Sequence, residues 1–362
     1  MNQHYVPRCY LKNFAEKKGK EFFIDVYDQK EDRYFKANIK KICSEIDFYT
    51  LNETNSIGND LLIIEKMYAN GFEPLYPKAY NLLTNKNVFH LSDLQRGEIL
   101  LAIFQFYIRN PNFLNRIIAT HKNSIKSLYD NAKRINAKGM TYLEEDFSFR
   151  EYELDAIMNF FEKKAINEFK EKHLSGLREI SNFHEHAKFE VIHIGDNSEF
   201  ISSDNPLIME DMVTNDFRPL LRTKAFFIAL NKTTVLKIHH DNGRLLNRIY
   251  RCNLPNGSVA IINNSIIAQS TRFLFTKKHI LEEQRRITKD VLDNTSTELK
   301  INMFREILAK FKKRDDNDTS YDLTRYYVDK YDKEGNISDA ELYHLYQTTR
   351  SEGIEFIKKI TK

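Results

Sequence analysis

Phe189-Glu-Val-Ile-His-Ile194, Ala225-Phe-Phe-Ile-Ala-Leu230 and Thr234-Val-Leu-Lys-Ile238 decide the fold class. Each is short and dense in β-branched and aromatic residues, which favour a pleated, half-buried surface. Asn231-Lys joins the second stretch to the third, a connection of hairpin type. Gly195-Asp-Asn follows the first and leads into Glu199-Phe-Ile-Ser202, which reads as its hairpin partner. Ser258-Val-Ala-Ile-Ile262 and Arg272-Phe-Leu-Phe275 add two candidate strands, with a helix between them from about Asn263. Strands joined by short polar turns imply a mainly antiparallel sheet.

Working upstream, the pattern is helical over residues 59 to 182. Leu61, Ile64, Tyr68 and Leu75 recur near the 3.6-residue period, with Gly71 and Pro74 splitting the segment. Ser92 is a helix N-cap, the apolar run from 99 to 108 predicts a helix buried on most faces, and Asn110-Pro111 ends it. Helices follow over about 112–136 and 149–180. Before this block, Glu21-Phe-Phe-Ile-Asp-Val-Tyr27 and Asp32-Arg-Tyr-Phe-Lys36 predict a hairpin, and Phe48-Tyr-Thr-Leu51 a third strand. Downstream, residues 279 to about 313 are helical. A charged linker then leads to an appendage with a Tyr326-Tyr-Val-Asp strand and a final helix. The expected architecture is α+β: a mainly antiparallel sheet, a large helical block packed on one side, and a helical C-terminal region. One domain covers 1–277 with its helical insertion at about 59–182, followed by helices over 278–314 and a small charged appendage over 315–362. The N-terminal hairpin is expected to join the later sheet.

The first fifteen residues depart from the usual frayed, polar terminus. Tyr5, Val6, Tyr10, Leu11 and Phe14 are apolar or aromatic, and Pro7 opens a short helix. A terminus tied down this way holds His4 and Arg8 at a fixed place. His4 can move a proton near neutral pH, and Arg8 can grip a phosphate or carboxylate. The alternative is a structural histidine that anchors the terminus. Gln105 and Arg109, four apart, share a face of the apolar helix. A buried arginine needs an anionic partner, which Glu73, Asp204 or a ligand phosphate could supply. Phe200-Ile-Ser-Ser-Asp-Asn-Pro206 runs from a strand into a polar turn, a common place for catalytic groups. There Asp204 could bind a metal, act as a base or orient a histidine, with Ser203 and Asn205 beside a ligand. The alternative is a turn held by local side-chain bonds to backbone.

These same stretches resemble a known family. His4-Tyr-Val-Pro followed by aromatic-Leu-x-x-Phe is similar to the opening of the largely bacterial domain of unknown function 4238. The helix around Glu65 and Glu73, Gln105-Phe-Tyr-Ile-Arg109-Asn-Pro111, Phe200–Pro206 and Ile262-Asn-Asn-Ser-Ile-Ile-Ala268 are similar too. The resemblance spans roughly residues 4 to 276 and implies where the site lies, without implying a reaction.

Composition bounds the rest. With 41% hydrophobic and 12% aromatic residues, the 362-residue chain can support a sizeable core, with 26 Phe and 19 Tyr in place of absent Trp. No apolar run approaches the roughly 18 residues of a membrane helix, and no signal-peptide pattern opens the chain. Cys9, Cys43 and Cys252 lie far apart, without metal-ligand spacing or an even count, which points to a reducing cytoplasm. Net charge is only +4, a weak pointer to nucleic acid, although Lys36–Lys41, Arg285-Arg286 and the run from 310 to 314 are basic clusters. A Glu–Asp–His set including Glu65 could hold Mg²⁺ or Mn²⁺. No compact ligand pair occurs among these residues, so no metal site or cofactor is assigned.

Three further motifs read more weakly. Arg116 and His121 fit the R-x4-H spacing of helical ribonucleases. His184-Glu-His186 sits at a helix end, where a solvated role is expected. Residues 332–341 follow the later part of a calcium loop, but Lys330 occupies the first ligand position, and a turn is the better reading. The expected function is a phosphodiester- or phosphate-directed hydrolase, most directly a nuclease. In it Asp204 orients or activates, His4 moves a proton, and Arg8 and Arg109 stabilise negative charge. By analogy with other basic, aromatic-rich bacterial proteins, its setting would be toxin or phage defence. The alternatives are a non-catalytic sensor for a nucleotide or other anion, and a scaffold in which these motifs only brace the N-terminus.

Overall fold

The chain opens with strand β1 (Asn2–His4) and helix α1 (Arg8–Leu11), then β2 (Glu16–Lys18), β3 (Glu21–Asp28), β4 (Arg33–Asn38) and β5 (Ser44–Ile46). The computed structural model describes residues 1–195, 197–210, 225–239, 247–254, 259–294, 297–310, 319–338 and 341. The helical block follows as α2 (Ile63–Met67), a π-helical turn (Tyr68–Phe72), α3 (Leu75–Thr84), α4 (Asp93–Ile108), α5 (Pro111–Arg134) and α6 (Leu154–Phe183). Gly71 and Pro74 lie where α2 and α3 are separated, as the sequence predicts. Before α6 comes a hairpin that the sequence reading missed, β6 (Gly139–Tyr142) with β7 (Glu145–Ser148). Next are β8 (Lys188–Ile194), β9 (Ser202–Ser203), β10 (Leu207–Met209), β11 (Ala225–Asn231), β12 (Thr234–His239) and β13 (Ile249–Leu254). The described chain ends with α7 (Val259–Gln269), β14 (Phe273–Phe275), α8 (Lys278–Asn294), α9 (Thr297–Lys310) and α10 (Thr319–Glu334).

Two five-stranded sheets result. The first has the order β10-β11-β12-β8-β13, antiparallel except where β13 runs parallel to β8. The second is built on β3, which pairs with β2, β4 and β14, and β14 pairs in turn with β9. The N-terminal hairpin therefore meets later strands as expected, but in a sheet of its own, with Val26–Asp28 against Phe273–Phe275. The fold is α+β, mostly antiparallel, with a helical block. Helix α4 is its apolar spine: Ile99, Ile103, Phe104, Phe106 and Ile108 are fully buried, and one large core joins α1, α3, α4 and both sheets. Ser92 caps α4 reciprocally with Gln95.

Four strand expectations fail, each for a local reason. Glu199–Ile201 is not a hairpin arm of β8. Its backbone is satisfied elsewhere: Phe200 N–H donates to Lys232 O at 2.7 Å, and Asn263 bonds both Ile201 N–H and Glu199 O. The same Asn263 sits inside α7, so the apolar residues from 259 to 262 are helical rather than a strand. Residues 48–51 form a turn whose Tyr49 ring is buried against Tyr68 and His173. Tyr326 to Asp329 lie within α10, where Val328 packs on Ile301 and Phe304. The charged linker and the final helix lie outside the described residues.

Candidate functional site

The N-terminus is tied down. Asn2–His4 pairs with Ser44–Ile46, and the Gln3 amide, fully buried, bonds Thr50 Oγ1 and Tyr49 N–H. Tyr10 and Leu11 on α1 enter the core, and the Tyr10 hydroxyl meets Ser202 Oγ at 2.5 Å. The backbone through His4, Tyr5 and Arg8 is thereby fixed between the sheets and α4.

Arg109 caps the C-terminus of α4, where Asn110 turns extended before Pro111. Its guanidinium is fully buried. Nη1 and Nη2 each reach Glu73 Oε1 at 3.1 Å, Nη1 also reaches Gln105 Oε1 at 3.4 Å, and Nη2 donates to the His4 carbonyl. The Tyr68 ring lies 4.2 Å from the guanidinium carbon. Of the three partners considered for Arg109, the partner is Glu73. Gln105 is a strut, fully buried and donating to the Phe72 and Ala102 carbonyls. Arg109 therefore braces α4 against the N-terminus and has no face open to a ligand.

Around this pair lie polar atoms that the fold leaves unused. His4 Nδ1, Glu65 Oε2, Tyr68 Oη and Arg109 Nε are buried without a hydrogen-bond partner. Burial, then Arg8 and Arg109, push the His4 pKa below 6.5, against the opposing pull of Glu73 and the Ile42 carbonyl. Burial raises the Glu65 carboxyl, opposed by Arg109 and Arg8 and reinforced by Glu73. Arg8, Arg109 and Glu73 thus act on both groups. Both shifts have burial as their main cause, since burial disfavours the charged form of either group.

A pocket of about 330 Å³ is lined by Arg8, Cys9, Lys12, Lys20, Lys40 and Glu73, among others, but by neither His4 nor Glu65. Arg8 and Lys12 are four apart across α1 and its C-cap. Among the described residues, Arg8, Lys12 and Lys20 form no ion pair, whereas Glu73 is used by Arg109 and Lys40 lies 4.0 Å from Glu21. The pocket is accordingly short of negative charge. Burial disfavours the thiolate form of Cys9 and of Cys43. Burial, with help from Glu73, raises Cys9 to about 11, and burial with Asp204 raises Cys43 well above its ordinary value.

Ser203, Asp204 and Asn205 do not join this pocket. Ser203 Oγ bonds Asn205 N–H and O, and Asn205 Nδ2 donates to Gln269 O at 2.9 Å. The Asp204 carboxylate, 3% exposed, accepts from three backbone N–H groups: Thr271 at 2.9 Å, Arg272 at 2.8 Å and Phe273 at 3.0 Å. Asn110 Nδ2 donates to the Asp204 carbonyl at 2.8 Å. The turn alternative describes this stretch, extended by a bracket onto a loop far along the chain. Asp204 lines a separate cavity of about 460 Å³ with Tyr5, Phe35, Cys43, Arg272 and Phe273.

The weaker motifs also resolve. Arg116 bonds Tyr107 on α4, whereas His121 Nδ1 meets Tyr142 Oη at 2.9 Å in the β6–β7 hairpin. Arg116 and His121 thus face different neighbours. His186 is exposed as expected, but His184 is buried and stacks on Phe104 with ring centroids 5.0 Å apart. Glu341 accepts from Ser338 N–H and Oγ and pairs with Lys330, so the calcium-like stretch is closed by its own bonds. No group of three or more His, Cys, Asp or Glu among the described residues is placed to hold a metal ion. Among the described residues, no helix is long and apolar enough to cross a membrane. Lys12, Lys20 and Lys40 line the first pocket and Phe35 the second cavity; of these four, only Lys40 fell within a stretch that the sequence reading singled out, the basic cluster at 36–41. A larger groove, about 850 Å³ between α4 and α6, is lined by none of the sequence-predicted site residues except His186.

No curated protein and no solved structure matches the chain. A family model described as a protein of unknown function (DUF4238) matches residues 2–279. The chain belongs to that family.

Proposed function

We propose that the protein is phosphate-directed and hydrolyses a phosphodiester, most directly as a nuclease. One observation carries this reading: the basic pocket under α1 is lined by Arg8 and Glu73, which also act on His4 and Glu65, whose buried Nδ1 and Oε2 have no partner in the fold. Arg8, Lys12 and Lys20 would hold the phosphate, His4 would take a proton and Glu65 would give one. Arg109 and Glu73 would position His4 rather than touch substrate, and Asp204 would not take part. Nucleic acid or nucleotide is the expected partner. A cytoplasmic location is part of the proposal, supported by the free state of Cys9, Cys43 and Cys252. Nucleolytic activity would suit a toxin or phage-defence role, and that part rests on analogy.

The test is cleavage of single-stranded DNA, RNA and a bis-aryl phosphodiester. His4→Ala and Glu65→Gln are each expected to lower kcat by about 10²–10⁴-fold with melting temperature unchanged. A second reading, an anion sensor without turnover, is favoured by one observation: Arg109 and Asp204 are both consumed by internal bonds. It predicts no cleavage by the wild-type protein and a phosphate-dependent rise in melting temperature. Cleavage that survives both substitutions would sink the roles given to His4 and Glu65, and no cleavage by the wild-type protein would sink the hydrolase reading.

A further inference from the structure

We propose that the cavity beside Asp204 is a nucleobase subsite; this rests on the phosphate-directed reading above and names the substrate class of the same site. The two cavities flank one stretch of chain. Asn38, Ile39 and Lys40 line the phosphate pocket, while Ala37 and Lys41 to Glu45 line the Asp204 cavity. The N-terminus spans both, with Arg8 and Cys9 on one side and Tyr5 on the other. A nucleotide with its phosphate against Arg8 would carry its base towards this second cavity.

Its walls suit a flat ring. Phe35 and Ala37 alternate on the edge strand β4 and so share a face. Phe273 on β14 completes the wall, its ring centroid 6.4 Å from that of Phe35 at an interplanar angle of 83°. Phe35 is 36% exposed, a large aromatic surface at the mouth of a cavity. The Arg272 guanidinium lies 4.8 Å from the Phe273 ring centroid. It is held there by the fully buried Asp28, with Nε 3.0 Å from each carboxylate oxygen and Nη2–Oδ2 2.7 Å. Burial alone would raise the Asp28 carboxyl, but Arg272 and two backbone N–H groups hold it below its ordinary value, so the charge persists. The Asp204 carboxylate fixes the backbone of Thr271, Arg272 and Phe273 and therefore the wall itself. Asn115 and Lys41, both exposed, supply hydrogen-bonding groups at the rim. Stacking against aromatic and guanidinium planes tolerates any base, and rim amides add hydrogen bonds to base edges. The volume of about 460 Å³ falls in the range of small-ligand sites.

Titration calorimetry on the full chain tests this with inorganic phosphate, the four nucleosides and their 5′-monophosphates. The monophosphates are expected to bind about tenfold or more tightly than phosphate. Phe35→Leu, which keeps apolar bulk but lacks a π-face, should remove that gain and leave phosphate affinity and melting temperature unchanged. Should that variant not fold, Asn115→Ala should narrow the differences among the four nucleosides. Monophosphates no tighter than phosphate, or a Phe35→Leu variant that binds them as well as wild type, overturn the subsite. If phosphate fails to bind while nucleosides bind in a Phe35-dependent way, the subsite stands and the phosphate-directed function falls.

Discussion

Asp204→Ala is expected to destabilise the protein by about 3 kcal/mol or more without removing the chemistry. The carboxylate is 3% exposed and accepts the backbone N–H groups of Thr271, Arg272 and Phe273, at the entry to β14. Removing it leaves these part-buried donors unsatisfied, at about 1–3 kcal/mol for each that water does not reach; Thr271, which is exposed, is the one most easily rehydrated. Asp204→Asn should cost less, because one amide oxygen still accepts while the NH₂ group faces a donor. Denaturant unfolding measures both. At a temperature where the Ala variant is folded, cleavage should stay within about tenfold of wild type; a loss of the 10²–10⁴-fold size typical of a missing acid or base would return Asp204 to the catalytic set. Nucleotide binding should weaken more than phosphate binding, because Arg272 and Phe273 depend on this bracket.

Arg109→Ala is the second large effect, about 3–5 kcal/mol. Breaking a buried ion pair by removing one partner costs this much because the other charge is stranded. Here the stranded group is Glu73, together with the His4 carbonyl and the Gln105 amide oxygen. Glu73 is 27% exposed and can be partly rescued by water, which sets the loss towards the lower end. Glu73→Gln alone should cost less than Arg109→Ala, and the double variant should lose less than the two single losses added. Additive losses would show that the two residues are not coupled, contrary to the geometry. Because Arg109 holds the His4 backbone, its removal should also blur the position of the imidazole and lower turnover in parallel with stability.

Much of this was legible in the residues. The strands 189–194, 225–230 and 234–238, the buried run of α4 and the anchored terminus follow from periodicity and apolar content, signals that burial enforces. Glu73 was already among the partners that an arginine on an apolar helix requires. What stayed hidden depends on contacts far apart in sequence. Nothing in Ser-Ser-Asp-Asn-Pro says whether Asp204 faces a cavity or the N–H groups of residues 271–273. A short apolar run such as 259–262 suits strand and helix alike, and Asn263 settles the matter only through bonds to the 199–201 segment. Phe35 reads as an ordinary strand aromatic until Phe273 and Arg272 are seen beside it. Glu65 looked like a metal ligand at most, because its lack of a partner is a property of the packed structure.

The measurement that bears most directly on the account is pyrophosphate binding by titration calorimetry, comparing wild type with Arg8→Ala and Lys12→Ala at low and high salt. Both residues are exposed on or beside α1, so the substitutions should leave the fold intact. Wild-type binding that weakens as salt rises, and that falls about tenfold or more with either substitution, is the predicted result. Equal binding in all three proteins, or none in the wild type, would contradict the claim that this pocket recognises phosphate.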